Sequence, residues 1–253
     1  MNTHLVSFGD TANYGGALTR MLVQSSQWQH QGERIFKTVN IYNENHLMRE
    51  HQDFWSSHKN HIQQNRRGYG YWIWKSFLVK HVMNQVAEND VVLWIDAGCQ
   101  FNTAALPRFR EYIDITRNSG ICCFDVKLPE YQWTKTDTAM RIVGDKSSHM
   151  NTGQLITTAV FFLNNNINKR IVQEWQDICC ENSYHYLTDA PSITPNALGF
   201  NEHRHDQSIL SLLIKKYNNY TTVLDETYFP ASWHQDGLQY PIWATRNPTS
   251  KFI

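Results

Sequence analysis

The sequence predicts an α/β fold, one domain built on a mostly parallel sheet flanked by helices. Short apolar runs rich in strand-forming residues alternate with amphipathic stretches at helical spacing. One of those runs, Val91-Val92-Leu93-Trp94-Ile95, is apolar without a break, as expected of a strand buried on both faces. No repeat, low-complexity tract or Pro-, Gly- or Ser-rich linker divides the 253 residues, a length that suits one large domain or two small ones.

Taken in order, "HLVSFGD" reads as a first strand ending in a Gly-Asp turn. "GALTRMLVQSSQW" sets Leu18, Met21, Leu22 and Trp28 near helical spacing, and "IFKTVNIY" reads as a second strand. "WKSFLVKHVMNQVAEND" places Leu78, Val79, Val82, Met83 and Val86 on one stripe, a helix expected to end at Asn89, before the strand "VVLWI". "GICCFDV" and "LITTAVFFLNN" are further strands. "NKRIVQEWQDICCEN" has an apolar face of Ile171, Val172, Trp175, Ile178 and Cys179. "DQSILSLLIKKY" is a helix with Asp206 at the expected N-cap, and "TTVLD" reads as a late strand.

Composition narrows the partners. Lys plus Arg and Asp plus Glu are 23 each, so there is no basic excess to displace counterions from nucleic acid. Nine Trp, twelve Tyr and twelve Phe supply flat faces with polar edges, suited to stacking on sugars or bases and equally to a large core. The five cysteines follow no zinc-module spacing and read as buried thiols. The N-terminal residues resemble no signal peptide and no run is long enough for a membrane span, so the expected location is cytoplasmic. Asn219-Tyr220-Thr221 is a glycosylation sequon, expected to go unused there.

Two stretches carry chemistry. In "VVLWIDAGCQFN" the strand stops on a carboxylate, Asp96, followed by the small residues Ala97 and Gly98. Either the strand has reached a surface turn, or a carboxylate is wanted at the sheet rim with backbone room for a ligand, since open sheets bind ligands at strand carboxyl ends. "NRRGYGYWIWK" offers Arg66 and Arg67, two glycines, four aromatics and Lys75 at a helix start, a cationic set able to hold a diphosphate. The alternative is that Trp72 and Trp74 pack the core while the arginines are solvated. A helix that precedes a parallel strand runs antiparallel to it, so Lys75 and Asp96 are expected to share one edge. "YQWTKTD" reads as a loop whose Trp133 and Lys135 face an acceptor or serve as a hydrophobic peg.

"RGYGYWIWK", a helix, "NDVVLWIDAGCQFN" and later "HRHDQSILSLL", in that order, resemble nucleotide-sugar glycosyltransferases of the GT-A fold found in bacterial polysaccharide clusters and large DNA viruses. The layout is similar to that of the retaining family of glycogenin and lipooligosaccharide galactosyltransferases, and the resemblance runs from "VSFGD" through "ATRNP". It implies a hexosyl or pentosyl transferase with a nucleotide-sugar donor, UDP-sugar favoured, and an oligosaccharide or glycoconjugate acceptor. One GT-A-like domain would span residues 1–253, with 1–105 binding donor and 106–253 binding acceptor. Ser7 and Asp10 would lie near the base or ribose, and Asp206 and Gln207 under the donor sugar as catalytic residues. Arg66, Arg67, Lys75, Asp96, Ala97 and Gly98 would lie at the diphosphate.

The family binds Mn²⁺ or Mg²⁺ through Asp-x-Asp, whereas this chain reads Asp96-Ala97-Gly98. His234, in a partial His-x-x-Gly-x-x-Lys-Pro-Trp match, is the expected second ligand beside Asp96, and Tyr240 stands where that signature has its lysine. An inverting enzyme would need a base, with Asp137 or Asp236 as candidates. Two competing readings are a non-catalytic glycan- or nucleotide-sugar-binding protein that has lost the second metal carboxylate, and a nucleotidyltransferase. "FGDTANYGGALTR" is a poor version of the glycine-rich loop that the latter needs.

Overall fold

The computed structural model describes residues 1–144 and 148–253. Strand β1 (Thr3–Phe8) and helix α1 (Thr11–Gln27) lead to a small hairpin, β2 (Gln29–His30) and β3 (Glu33–Arg34), and to β4 (Thr38–Tyr42). Helices α2 (Glu44–Arg49) and α3 (Gln52–Gln64) precede a turn-like α4 (Gly68–Tyr71), helix α5 (Trp74–Met83), and strands β5 (Val91–Ile95) and β6 (Gln100–Phe101). After α6 (Leu106–Ser119) come β7 (Ile121–Pro129), α7 (Glu130–Trp133) and α8 (Thr136–Ile142). Strands β8 (Gly153–Leu155) and β9 (Ala159–Leu163), helices α9 (Asn166–Tyr184) and α10 (His205–Tyr217), and strands β10 (Thr221–Leu224) and β11 (Ile242–Trp243) complete the chain.

The central sheet has the order β10-β7-β9-β5-β1-β4, with β8 on β7. β1 is parallel to β4 and β5, and β10 to β7, while β9 runs antiparallel between β5 and β7. Five of the seven strands therefore point the same way, as the alternating pattern predicts. β5 lies mid-sheet, and its residues divide between two cores. Val92 and Trp94 join α5, α9 and α10 on one face; Val91, Leu93 and Ile95 join α6 on the other. All five side chains are at most 1% exposed. At ~1.5–3 kcal/mol for each large apolar side chain removed from water, that strand is a main source of stability. No helix among the described residues is long and apolar enough to cross a membrane.

Several boundaries differ from the sequence pattern. α5 ends at Met83 rather than Asn89, because Val86 belongs to the turn that carries the chain into β5. "YQWTKTD" is not a loop but parts of α7 and α8. α10 begins at His205, and its N-cap, Arg204, makes no side-chain cap bond. Asp206 is thus inside the first turn, and its carboxylate is engaged elsewhere. α3 was missed because its mostly polar sequence buries only Phe54, His61 and Ile62. The five cysteines are free thiols, four buried and Cys180 half-buried.

Candidate active site at the strand ends

The carboxyl ends of β1 and β5 open into a cleft of 740 Å³. Gly9 and Asp10 line it after β1, and Asp96, Ala97 and Gly98 after β5. Asp10 caps α1: its Oδ1 accepts from the Asn13 backbone N–H at 3.0 Å and from Nδ2 at 2.7 Å. Ser7 is fully buried outside the cleft lining, and its hydroxyl has no partner among the described residues.

Lys75 and Asp96 do meet, but Lys75 points inward. Its ammonium lies 3.1 Å from Asp96 Oδ1 and 3.1 Å from Asp206 Oδ2, with the Lys75 side chain 2% exposed. It also donates to the carbonyl and hydroxyl oxygens of Thr157, each at 3.3 Å. Burial pulls the Lys75 pKa down, and the Asp206 and Asp96 carboxylates outweigh it, so the value rises and the group stays charged. Asp96 keeps 35% of its side chain open toward the cleft and accepts from Trp94 Nε1 at 3.0 Å. Burial of its surroundings, joined by the Asp206 charge, raises its carboxyl pKa against the pull of Lys75. Two carboxylates share one ammonium beneath the cleft.

α10 divides its first turn between two tasks. Asp206 is buried under the cleft, held by Lys75 and by Thr157 Oγ1 at 3.0 Å. Gln207, the next residue, lines the cleft, its Nε2 donating to Gln154 Oε1 at 2.7 Å. Of the two residues expected beneath a donor sugar, only Gln207 faces the open space.

The "RGYGYW" stretch forms a left-handed turn. Gly68, Tyr69, Gly70, Tyr71 and Trp72 have consecutive φ values of 56°, 51°, 90°, 55° and 60°. Each non-glycine residue there costs on the order of 1–2 kcal/mol, and such strain concentrates at functional sites. Tyr71 and Trp72 donate backbone N–H groups to the Arg67 and Gly68 carbonyls at 2.8 and 3.0 Å, and Trp74 Nε1 donates to Gly68 and Tyr69 carbonyls. A Cβ at Gly70 would stand 2.8 Å from Ile62 Cγ1, so the glycine is required by space as well as by φ. The turn directs Arg66, Tyr69 and Trp72 to the cleft. Arg67 is turned away and pairs with Asp189 at 3.1 Å.

The other expected site residues lie elsewhere. Lys135 is buried and cannot meet an acceptor: its ammonium donates to the carbonyls of His185, Thr188 and Ala190. Trp133 is half-buried outside the cleft lining, with the Arg204 guanidinium 3.8 Å over its ring. Asp137 is held by His185 at 2.7 Å and by the Ile193 and Thr194 backbone N–H groups, and Asp236 is exposed; neither lines the cleft. Tyr240 stacks on Phe229, with ring centroids 5.1 Å apart. Three cleft residues that the sequence reading passed over are Arg204, Asp225 and Arg246. Arg204 is two residues from Asp206 and Arg246 lies in "ATRNP", so both were within the quoted motifs.

The donor set does not fit a divalent ion held as expected. His234 is exposed, edge-on to Trp243, and does not line the cleft. Asp96 has one oxygen committed to Lys75 and Trp94. Gly98 offers no second carboxylate, and a Cβ there would lie 3.1 Å from Arg246 Cα, a tight approach to the main chain. Among the described residues no three His, Cys, Asp or Glu side chains converge as metal ligands.

No family model and no curated protein matches the sequence. Among solved structures, the chain is similar to the apo form of mouse xyloside xylosyltransferase 1, with 10% identity over 90% of this chain and 87% of that one, at a TM-score of 0.49. It is also similar to an active-site mutant of LgtC, with 13% identity over 99% of this chain and 84% of that one, at a TM-score of 0.46. LgtC, a galactosyltransferase, in complex with donor and acceptor sugar analogs has the same identity and coverage, at a TM-score of 0.43.

Proposed function

We propose that the protein transfers a sugar from a nucleotide-diphosphate donor, a UDP-sugar by preference, to a hydroxyl of a glycan or glycoconjugate. The observation that carries this reading is the convergence of Asp96, Gln207, Arg66, Arg204 and Arg246 on one cleft at the strand ends. As the bond from the anomeric carbon to the diphosphate stretches, negative charge grows on the leaving group, and fixed guanidiniums beside it lower the barrier. Gln207, immobilised by Gln154, is placed to orient the sugar. Asp206 acts from below by fixing Lys75, which in turn positions Asp96. Transfer with retention of configuration rests on the motif resemblance. Tyr69 and Trp72 offer aromatic surface to a base or sugar.

The test is turnover of a panel of UDP-, GDP-, CMP- and dTDP-sugars, following nucleotide release with and without oligosaccharide acceptors. One donor should turn over, and Gln207→Ala should lower its rate roughly a hundredfold, the size of effect seen when one polar transition-state contact is lost. The anomeric configuration of the product, read by NMR, tests retention. The absence of the second carboxylate at Gly98 favours one other reading, a non-catalytic nucleotide-sugar binder. Binding of a donor without release or transfer would establish that reading instead.

A further inference from the structure

We propose that Arg246, carried by a C-terminal strap over the end of β5, supplies with Arg66 the positive charge that a divalent ion would otherwise bring, so that the cleft takes a nucleoside diphosphate without metal. The inference rests on the donor-site reading above and adds how the diphosphate charge is met.

The strap, residues 244–251, is fastened at the turn that follows Asp96. The Gly98 carbonyl accepts from the Asn247 backbone N–H at 3.1 Å and from Thr245 Oγ1 at 2.8 Å. The Ala17 backbone N–H donates to the Pro248 carbonyl at 3.0 Å. Arg20, 1% exposed, ties the strap to the turn after Asp96, donating to the carbonyls of Asn247 at 2.8 Å and of Thr249 on one side and of Cys99 at 3.3 Å on the other. A buried arginine that donates to several main-chain carbonyls is a firm anchor, because removing it leaves those acceptors unpaired. A Cβ at position 98 would stand 3.1 Å from Arg246 Cα, so a side chain there would press the strap outward by a few tenths of an ångström.

What the strap delivers is a cation. Arg246 has φ 54°, a left-handed conformation that disfavours a non-glycine residue and that the surrounding bonds impose. Its guanidinium lies 4.9 Å over the Tyr228 ring and, among the described residues, makes no ion pair with a carboxylate. Arg66, the other cleft arginine without an ion pair among the described residues, comes from the left-handed turn. Two guanidiniums equal one divalent ion in charge, and the planar fork of each matches two phosphate oxygens at once. Asp96, the carboxylate that would bridge to a metal, is already engaged with the Lys75 ammonium, which it shares with Asp206.

The experiment is calorimetric titration of the whole chain with UDP, GDP, CDP and dTDP, once in EDTA and once in Mn²⁺. Arg246→Asn, whose new residue accepts the left-handed backbone, and Arg66→Ala, remote from the strap in sequence, are run beside the wild type. One nucleotide should bind in EDTA within about threefold of its affinity in Mn²⁺, and each variant should weaken it roughly tenfold or more, the loss of one charge-assisted contact. Binding that appears only with Mn²⁺ overturns the inference and leaves the donor site standing. Binding in EDTA that neither variant weakens also overturns it. No binding in either buffer removes the donor-site reading and this inference together.

Discussion

Lys75→Met keeps a side chain of similar length and removes the charge that two carboxylates share. The ammonium sits 3.1 Å from each carboxylate, and the Lys75 and Asp206 side chains are 2% and 5% exposed, so little solvent replaces it. Breaking a buried pair by deleting one partner costs about 3–5 kcal/mol. An upper limit follows from protonation. A carboxylate left without Lys75 can escape as a neutral acid, and lifting a carboxyl from its ordinary value near 3.9 to pH 7 costs about 4 kcal/mol at ~1.4 kcal/mol per unit. The expected loss at pH 7 is therefore about 3–4 kcal/mol, and at pH 5 the same escape limits it to about 1.5 kcal/mol.

The sign is fixed by proton counting. Lys75 holds the Asp96 carboxyl down against burial, so without it the native Asp96 pKa rises further above its unfolded value, and between the two the native state holds the extra proton. The variant then loses stability relative to wild type as pH rises. Urea denaturation of wild type, Lys75→Met, Asp206→Asn and the double variant at pH 5 and pH 7 measures all of this. The double variant should recover roughly 2 kcal/mol relative to the sum of the singles, since neither partner is left charged and alone. A loss under about 1 kcal/mol at pH 7, or one unchanged at pH 5, would refute the shared-charge account, because the penalty for an uncompensated buried carboxylate must be both large and pH-dependent.

Two further outcomes concern the segment beside α10. Lys135→Met leaves the carbonyls of His185, Thr188 and Ala190 without their shared donor and should cost about 2–3 kcal/mol, with faster proteolysis between residues 185 and 200; unchanged cleavage there would mean that the lysine does not anchor the segment. His203 is buried and accepts the Lys135 backbone N–H at Nδ1 while its Nε2 donates to the Tyr186 carbonyl at 2.8 Å, so the ring is neutral in the fold. Burial first, and the Lys135 charge second, hold its pKa well below the ordinary 6.5. The unfolded chain takes the proton first, so stability is full above about pH 6.5 and lost as pH falls toward the depressed native value. Melting temperature should drop between pH 7 and pH 5, and His203→Gln should flatten that slope; an equal slope in both proteins would place the acid sensitivity elsewhere.

The legible parts of this molecule were those written in local pattern. Unbroken apolar runs located β5 and β9, and the 3.6-residue stripe located α9 and the start of α5. The antiparallel rule for a helix packed before its strand put Lys75 beside Asp96, and 3.1 Å separates them. The reversed direction of β9 was not legible, because a buried run such as Ala159–Leu163 has the same composition whichever way it points. Nor was the strap. The Gly98–Arg246 approach joins residues with no shared periodicity, and Gly98 read as a missing carboxylate and as room for a ligand rather than for main chain.

Side-chain direction within a motif is the part that only three dimensions supply. Neighbouring residues on an α-helix point about 100° apart, so Asp206 and Gln207 can be sent to different surroundings, and here only Gln207 lines the cleft. α10 packs against β8 and α9, which turns Asp206 inward to Lys75 and leaves Gln207 outward. The division follows from charge: a buried ammonium needs a carboxylate, whereas a neutral amide can lie at an open rim without one. Asp206 therefore acts through two ion pairs on the orientation of Asp96, and its removal should disturb stability and ligand affinity together. Gln207 supports no buried charge, so its removal should act chiefly on the ligand, with the smaller structural cost of leaving the buried Gln154 Oε1 unpaired.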